Sequence, residues 1–273
     1  MQKLQLLYKD SEINYFRFGS GKKLAICFHG YGETADSYSF LEVYAGTEFS
    51  FYAVDLPFHG ETKWNEGYDF NYNDLQSIIK EIIFKGSQLQ SNLQLTLLGF
   101  SLGGRMALSL YQAMPDQIEK IVLLAPDGLK INFWYWLATQ TWLGNQFFSF
   151  TMKHPGWFFG FLKILNSLKL VNTSIFKFVN YYIGERQVRQ DLYARWTTLR
   201  KLRPDLKKIK SFIKQYKTAV RLIYGRYDRI ILASPGERFC RNIETHCRLS
   251  IIHSGHQVLQ EKHAEEILPA LLD

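Results

Sequence analysis

The sequence predicts an α/β protein: a mostly parallel central sheet flanked by helices, with an inserted helical cap. Short apolar runs with the length of buried strands alternate with segments whose apolar residues recur at helical spacing. This alternation stops near residue 128 and resumes near residue 218. We therefore expect residues 1–127 and 218–273 to form the core, and residues 128–217 to form the cap.

The elements of the core follow in order along the chain. The first is a hairpin, Leu4–Tyr8 and Ile13–Phe18, because a polar turn separates two alternating runs. Further strands are expected at Leu24–Phe28, Phe51–Val54, Leu93–Leu98, Ile121–Leu124, Val220–Tyr224 and Leu249–Ile252. Helices are expected at Asn73–Phe84, Met106–Met114 and Val258–Leu272.

The insertion carries the excess positive charge of the chain. From Lys130 to Lys217 there are 16 Lys and Arg residues but three acids, a net charge of +13 against +8 for the whole chain. The same stretch holds 20 of the 43 aromatic residues. We expect the aromatic side chains to line an apolar pocket and the cations to lie on the outside, because burying unpaired charge is unfavourable. Three roles remain possible for these cations: they form a solvated helix face, attract an anionic substrate, or make weak contact with a membrane surface. A nucleic-acid partner is not expected.

The cysteines and the N-terminus bear on the compartment. Cys27, Cys240 and Cys247 show neither a paired framework nor metal-ligand spacing, so we expect free thiols in a reducing compartment. Met1–Asp10 has no apolar stretch long enough for a signal peptide, and Ile131–Met152 has too many polar residues for a spanning helix. These features predict a cytoplasmic protein without a transmembrane segment.

The strongest chemical motif is Gly99-Phe100-Ser101-Leu102-Gly103, which matches G-x-S-x-G. It follows a predicted strand and opens a predicted helix, the context in which this pattern places a serine at an exposed, strained turn. The two glycines remove side chains that would collide in so tight a turn. Ser101 is therefore the candidate nucleophile.

A serine hydroxyl needs a base, and the base needs an orienting acid. His256 follows the last predicted strand in Ser254-Gly255-His256, where Gly255 lets the loop turn, and it is the candidate base; His253 is the alternative. Asp228 lies just past a glycine turn after the preceding strand and is the candidate acid. Asp127, which follows Ile121–Leu124, is its rival.

Acyl transfer also requires donors for a developing oxyanion. The backbone N–H of Leu102, next to the nucleophile, is one candidate. The second is the N–H of Tyr31, in a loop where Gly30 and Gly32 allow close approach of the backbone. His29, at the start of that loop, is expected to be a structural hydrogen-bonding residue.

Together these residues resemble the α/β-hydrolase superfamily over almost the whole chain. The resemblance rests on residues 29–30, 55–60, 99–103, 225–228 and 254–256. By position it implies that Ser101, Asp228 and His256 form a catalytic triad, that Tyr31 and Leu102 are the oxyanion donors, and that Asp55 and His59 shape a structural turn. Serine at position 101 separates the chain from the dehalogenase and epoxide-hydrolase branches, which have an aspartate there.

The resemblance is closest to esterases, thioesterases and C–C bond hydrolases. We expect cleavage of an ester, thioester or similar acyl bond in a small, largely apolar molecule, with a carboxylate on that substrate left open. C–C cleavage or elimination on the same triad, and a receptor derived from a hydrolase, are the alternatives. Neither an organic cofactor nor a metal is expected, since no nucleotide-binding glycine motif, phosphate-binding loop or zinc-ligand spacing is present.

Overall fold

The computed structural model describes residues 1–86, 94–167 and 184–273. Within these ranges eight strands form a single sheet in the order β1-β2-β4-β3-β5-β6-β7-β8. Strands β2 and β1 pair antiparallel, as do β2 and β4, and all other neighbours pair parallel. The strands are β1 (Gln2–Tyr8), β2 (Ser11–Phe18), β3 (Lys23–Phe28), β4 (Phe49–Val54), β5 (Leu95–Phe100), β6 (Ile118–Leu124), β7 (Ala219–Gly225) and β8 (Cys247–Ile252). The predicted fold class is confirmed.

Ten α-helices lie in the described part of the chain. They are α1 (Leu41–Ala45), α2 (Tyr72–Gly86), α3 (Leu102–Ala113), α4 (Phe133–Gln140), α5 (Trp142–Lys153), α6 (Gly156–Ser167), α7 (Arg186–Thr198), α8 (Leu206–Tyr216), α9 (Ser234–Cys240) and α10 (Ala264–Leu272). In these ranges no helix is both long and apolar enough to cross a membrane.

The central strands are buried on both faces. Every residue of β4 and β5 is buried, which explains why both read as continuous apolar runs rather than alternating ones. Strand β5, which precedes Ser101, therefore has a rigid and fully enclosed position.

The hairpin of β1 and β2 lies at the edge of the sheet and turns over two residues. Tyr8 lies opposite Ser11, and Lys9 is in the left-handed region at φ 53°.

Asp74 fixes the start of α2 and ties it to the hairpin. Asn71 Oδ1 accepts from the N–H of Asn73 at 2.9 Å, and Asp74 Oδ2 accepts from the N–H of Asn71 at 3.0 Å, a reciprocal cap. Asp74 Oδ1 also accepts from Tyr8 Oη at 2.9 Å and Lys9 Nζ at 2.6 Å. Burial acts to raise the pKa of Asp74, but the hydrogen bonds from Lys9, Tyr8 and the backbone leave it below its ordinary value.

The chain divides into two compact units. The core unit comprises Met1–Glu66, Phe70–Lys130 and Lys201–Asp273; the helical unit comprises Gly67–Asp69 and Ile131–Arg200. This differs from the predicted 128–217 mainly at the C-terminal side, because α8 buries Ile209 and Ile213 and belongs to the core unit. Residues 168–183 of the predicted cap, and Leu93 of the predicted strand, lie outside the described residues.

The helical unit has a small aromatic core of its own. Phe148 of α5 packs against Tyr193 and Trp196 of α7, with ring centroids 5.4 and 5.6 Å apart. Other aromatic side chains of this unit are exposed, including Trp134 and Trp142. The expectation that the aromatic residues line a pocket is therefore wrong for these side chains, which face solvent.

Two further predictions need correction. Cys240 and Cys247 form a disulfide with their Cα atoms 5.4 Å apart, since the end of α9 and the start of β8 meet; only Cys27 is a free, buried thiol. The last helix begins at Ala264 rather than Val258, because hydrogen-bonded turns from His256 to Val258 and from Val258 to Gln260 keep that stretch irregular.

Candidate active site

The predicted site residues meet at the end of the sheet where its parallel strands have their carboxyl termini. Ser101 follows β5, Asp228 follows β7 and His256 follows β8, while Tyr31 follows β3. These four strands run parallel, so their carboxyl ends lie on the same side. In open sheets of this kind, ligands bind beyond the carboxyl ends of the strands.

The turn at Ser101 is strained and closely packed. Ser101 has φ 50° and ψ −114°, a conformation that a residue with a side chain rarely adopts. A Cβ at Gly103 would lie 1.7 Å from the Phe28 carbonyl oxygen, and one at Gly99 would lie 2.5 Å from the Gly103 oxygen. Both glycines are thus required for the turn that presents the Ser101 hydroxyl.

Ser101, His256 and Asp228 form a continuous chain of hydrogen bonds. The Ser101 hydroxyl lies 3.0 Å from His256 Nε2, and His256 Nδ1 lies 2.8 Å from Asp228 Oδ2. Because an ionised carboxylate only accepts, Nδ1 carries the ring proton and Nε2 is left to accept from the serine. This is the geometry required for a serine to lose its proton to an imidazole.

The carboxylate of Asp228 is held in place from both sides. Its side chain is 1% exposed, and Oδ1 accepts from the N–H groups of Ile230 at 2.7 Å and Ile231 at 2.9 Å. Oδ2 is thereby directed at the imidazole. The rival Asp127 is engaged elsewhere: it accepts from the N–H of Gly128 at 2.7 Å and pairs with Arg105 at 3.3 Å.

The loop that carries His256 packs closely on the loop after β7. A Cβ at Gly225 would lie 2.0 Å from the Gly255 oxygen, so glycine is needed at 225; a Cβ at Gly255 would meet open space. Phe100 packs beside the His256 ring at 5.4 Å. The alternative base, His253, is exposed and its Nδ1 lies 3.3 Å from the hydroxyl of Tyr227, in a different environment from Ser101.

The candidate oxyanion donors, Tyr31 and Leu102, belong to segments that follow two adjacent strands. Leu102 is the first residue of α3, and the N–H groups of a first helical turn have no acceptor within their helix. Tyr31 lies between Gly30 and Gly32, and Gly32 has φ 74°. Strand β3 pairs directly with β5, Phe28 opposite Gly99, which places the two loops side by side.

His29, Asp55 and His59 support this loop. Buried His29 accepts from the N–H of Leu56 through Nε2 at 3.1 Å, so its Nδ1 is protonated and donates to the Gly30 oxygen at 2.8 Å. Asp55 accepts from the N–H of Ala35 and the amide of Asn14, both at 2.7 Å. His59 lies beside His29 with ring centroids 5.0 Å apart. These are the structural roles expected of them.

Sequence reasoning missed Glu33. Its Oε2 accepts from the N–H of Gly30 at 3.4 Å, and its carboxyl group also forms a hydrogen bond with Gln257 and interacts electrostatically with His256. Burial raises the pKa of Glu33, partly offset by these contacts. No local pattern marks this residue, because its contacts with His256 and Gln257 come from a loop more than 200 positions away.

Comparisons with known proteins identify the family of the chain. A family model for serine aminopeptidases, S33, matches residues 19–263. The hydrolase YugF of Bacillus subtilis is 24% identical over 253 residues, 89% of this chain and 86% of that protein. Esterase Rv0045c of Mycobacterium tuberculosis is 29% identical over 124 residues, 43% of this chain and 38% of that protein.

A thermophilic esterase from Thermogutta terrifontis has the same fold. Its structure superposes with a TM-score of 0.67 at 16% identity, covering 99% of this chain and 97% of that one. The family match spans most of the sequence, and the fold agrees with it. The chain is a hydrolase of the α/β-hydrolase superfamily and belongs to the serine aminopeptidase S33 family.

Proposed function

We propose that the protein is a serine hydrolase that cleaves an ester, thioester or similar acyl bond through an acyl-enzyme on Ser101. The observation that carries this proposal is the pair of contacts at His256, 3.0 Å to the serine hydroxyl and 2.8 Å to Asp228. A hydroxyl so placed has both a base and an orienting acid.

In the first half-reaction Ser101 Oγ attacks the carbonyl carbon of the substrate, and its proton passes to His256 Nε2. Asp228 stabilises the imidazolium that forms. The N–H groups of Tyr31 and Leu102 donate to the oxyanion of the tetrahedral intermediate. The intermediate then collapses, the bond to the leaving group breaks, and His256 returns its proton to that group.

In the second half-reaction water replaces the leaving group. His256 takes one proton from the water as its oxygen attacks the acyl carbon. The same two N–H groups hold the second oxyanion. Collapse of this intermediate releases a carboxylic acid, and the proton on His256 returns to Ser101 Oγ, so the enzyme is regenerated.

The substrate class is a small, largely apolar acyl compound. The support is composition: residues 130–217 hold 20 of the 43 aromatic residues, although Trp134 and Trp142 among them face solvent rather than a pocket. The same stretch has a net charge of +13, which favours a substrate that also bears a carboxylate. For a matched pair of esters, kcat/KM of the carboxylate-bearing member should then fall as salt rises, while that of the neutral member stays constant.

The test is a turnover screen of acyl esters, acyl-thioesters and dicarbonyl acids. Wild type should turn over at least one acyl substrate with a burst of leaving group, and Ser101→Ala should lose about 10⁶-fold in kcat. Ser211→Ala, an exposed serine on α8, is the matched control and should retain full activity. Turnover of dicarbonyl acids alone would contradict acyl hydrolysis, and stoichiometric binding without turnover would indicate a receptor.

A further inference from the structure

The helical unit exposes a broad apolar face on α4, α5 and α6. Six of its side chains, four aromatic and two aliphatic, are each 48–74% exposed, and we call them together the aromatic face. They are Trp134, Trp142, Leu143, Phe147, Phe161 and Ile164. With about 200 Å² for each such side chain, on the order of 800 Å² is uncovered. The largest apolar patch of a typical monomer is about 300–600 Å². The summed exposure of these side chains is above that range.

The aromatic face follows the period of the helices. Leu143 and Phe147 are four residues apart on α5, and Phe161 and Ile164 are three apart on α6, so each pair lies on one side of its helix. Phe147 contacts Trp157 of α6 with ring centroids 5.0 Å apart. The exposed sides of the two helices are therefore continuous.

The face is distinct from the core of its own unit. Phe148 packs on α7, and Met152 of α5 is buried, so this helix already has an inward side. Asn145 holds the same side through hydrogen bonds to Thr197 and Tyr193. Leu143 and Phe147 thus lie on a second apolar side of α5, which remains 57–73% exposed although Phe147 also contacts Trp157 of α6.

The charges around the face indicate what covers it. No Asp or Glu occurs between Leu129 and Gly184, whereas Lys153 and Lys163 are exposed on α5 and α6. Interfaces between proteins are depleted in lysine. Tryptophan beside lysine on short amphipathic helices is instead typical of the boundary between lipid headgroups and acyl chains. Helices α5 and α6 have 12 residues each, about 18 Å, and so fit along a bilayer surface rather than through it.

We propose that the aromatic face is a lipid-docking surface that inserts into the headgroup region of a bilayer containing anionic lipids. The apolar side chains supply the insertion, and Lys153 and Lys163 contact the anionic headgroups. This proposal concerns binding alone and does not depend on the triad.

The test is cosedimentation of the full chain with vesicles of phosphatidylcholine, with and without phosphatidylserine. Wild type should bind the anionic vesicles, and its tryptophan emission should shift to the blue. The double variant Leu143→Ser, Phe147→Ser should bind about tenfold more weakly or worse, because affinity scales with the apolar area inserted. Lys153→Gln with Lys163→Gln should reduce binding only to the vesicles containing phosphatidylserine.

A matched control replaces equally exposed apolar residues of the core unit. Leu7 and Val43 are 74% and 81% exposed, so Leu7→Ser with Val43→Ser should leave vesicle binding unchanged. Circular dichroism checks that each variant is folded, and the single variant Trp142→Ser substitutes if the double variant is not. The proposal is overturned if wild type fails to bind anionic vesicles, or if the two double variants bind equally. It is also overturned if the face instead mediates self-association that Leu143→Ser, Phe147→Ser abolishes.

Discussion

Replacing Asp228 by asparagine tests the orientation of the imidazole. Asp228 Oδ1 accepts from two backbone N–H groups, those of Ile230 and Ile231, so the asparagine oxygen is drawn to that position. The new NH₂ group then points at His256 Nδ1, where the carboxylate oxygen lay 2.8 Å away. A donor there forces Nδ1 to accept, and the ring proton moves to Nε2. Nε2 can no longer take the proton of Ser101.

The expected loss of activity is large because the substitution moves the ring proton of His256 to the other nitrogen, instead of only weakening a hydrogen bond. Loss of about 10⁴-fold in kcat is typical of this change, which corresponds to about 5 kcal/mol of transition-state stabilisation. The assay is kcat and kcat/KM on the substrate found in the turnover screen. The side chains have nearly the same shape, so the melting temperature serves as the check of folding.

Asp127→Asn is the matched control. Asp127 pairs with Arg105 and the N–H of Gly128, and neither contact orients His256. Its substitution should lower kcat by about tenfold at most, about 1.4 kcal/mol, because Ser101, His256 and Asp228 keep their contacts with one another. If Asp228→Asn kept more than a tenth of the activity, or if Asp127→Asn lost more than Asp228→Asn, the reasoning about the acid would be wrong.

Three further predictions follow from individual contacts. Gly103→Ala should destabilise the fold by about 3 kcal/mol or more, since its Cβ would lie 1.7 Å from the Phe28 oxygen; a urea midpoint like that of wild type would refute this. Asp74→Asn should cost about 2 kcal/mol at neutral pH, through its cap with Asn71 and its other partners. Because the folded pKa of Asp74 is depressed, wild type loses this advantage as pH falls through that pKa, and melting curves of both proteins should converge in acid. For Glu33 the sign is opposite: burial raises its folded pKa, so wild type loses stability as pH rises from the unfolded pKa through the folded one. The melting temperature of Glu33→Gln should therefore rise relative to that of wild type as pH increases above about 4, the ordinary pKa of glutamate, and a difference independent of pH would contradict it.

The parts of this protein that sequence predicts well are those encoded locally. The buried strands show as apolar runs, and Ser101 shows through glycines that its tight turn requires. Asp228 and His256 could be found because each directly follows a strand whose position was readable. Parallel strands then bring such residues to one edge without further information.

What the sequence did not predict depends on how the elements pack against one another, whether they are distant or near in the chain. The aromatic residues of the insertion gave no sign of which side chains face solvent, because exposure of Trp142 depends on how α5 packs on α7. Cys240 and Cys247 pair only because α9 ends where β8 begins. The assignment of α8 to the core unit likewise follows from where Ile209 and Ile213 are buried, which their spacing alone does not reveal.

Transfer of the acyl group of the substrate to Ser101 can be observed by acid quenching during turnover. A chromogenic acyl ester is mixed with enzyme, the reaction is stopped in acid, and the protein is digested and analysed by mass spectrometry. We expect the peptide containing Ser101 to gain the mass of the acyl group less one hydrogen, and Asp228→Asn to accumulate this peptide more slowly. An acyl group on another residue, or steady turnover by Ser101→Ala, would exclude Ser101 as the nucleophile.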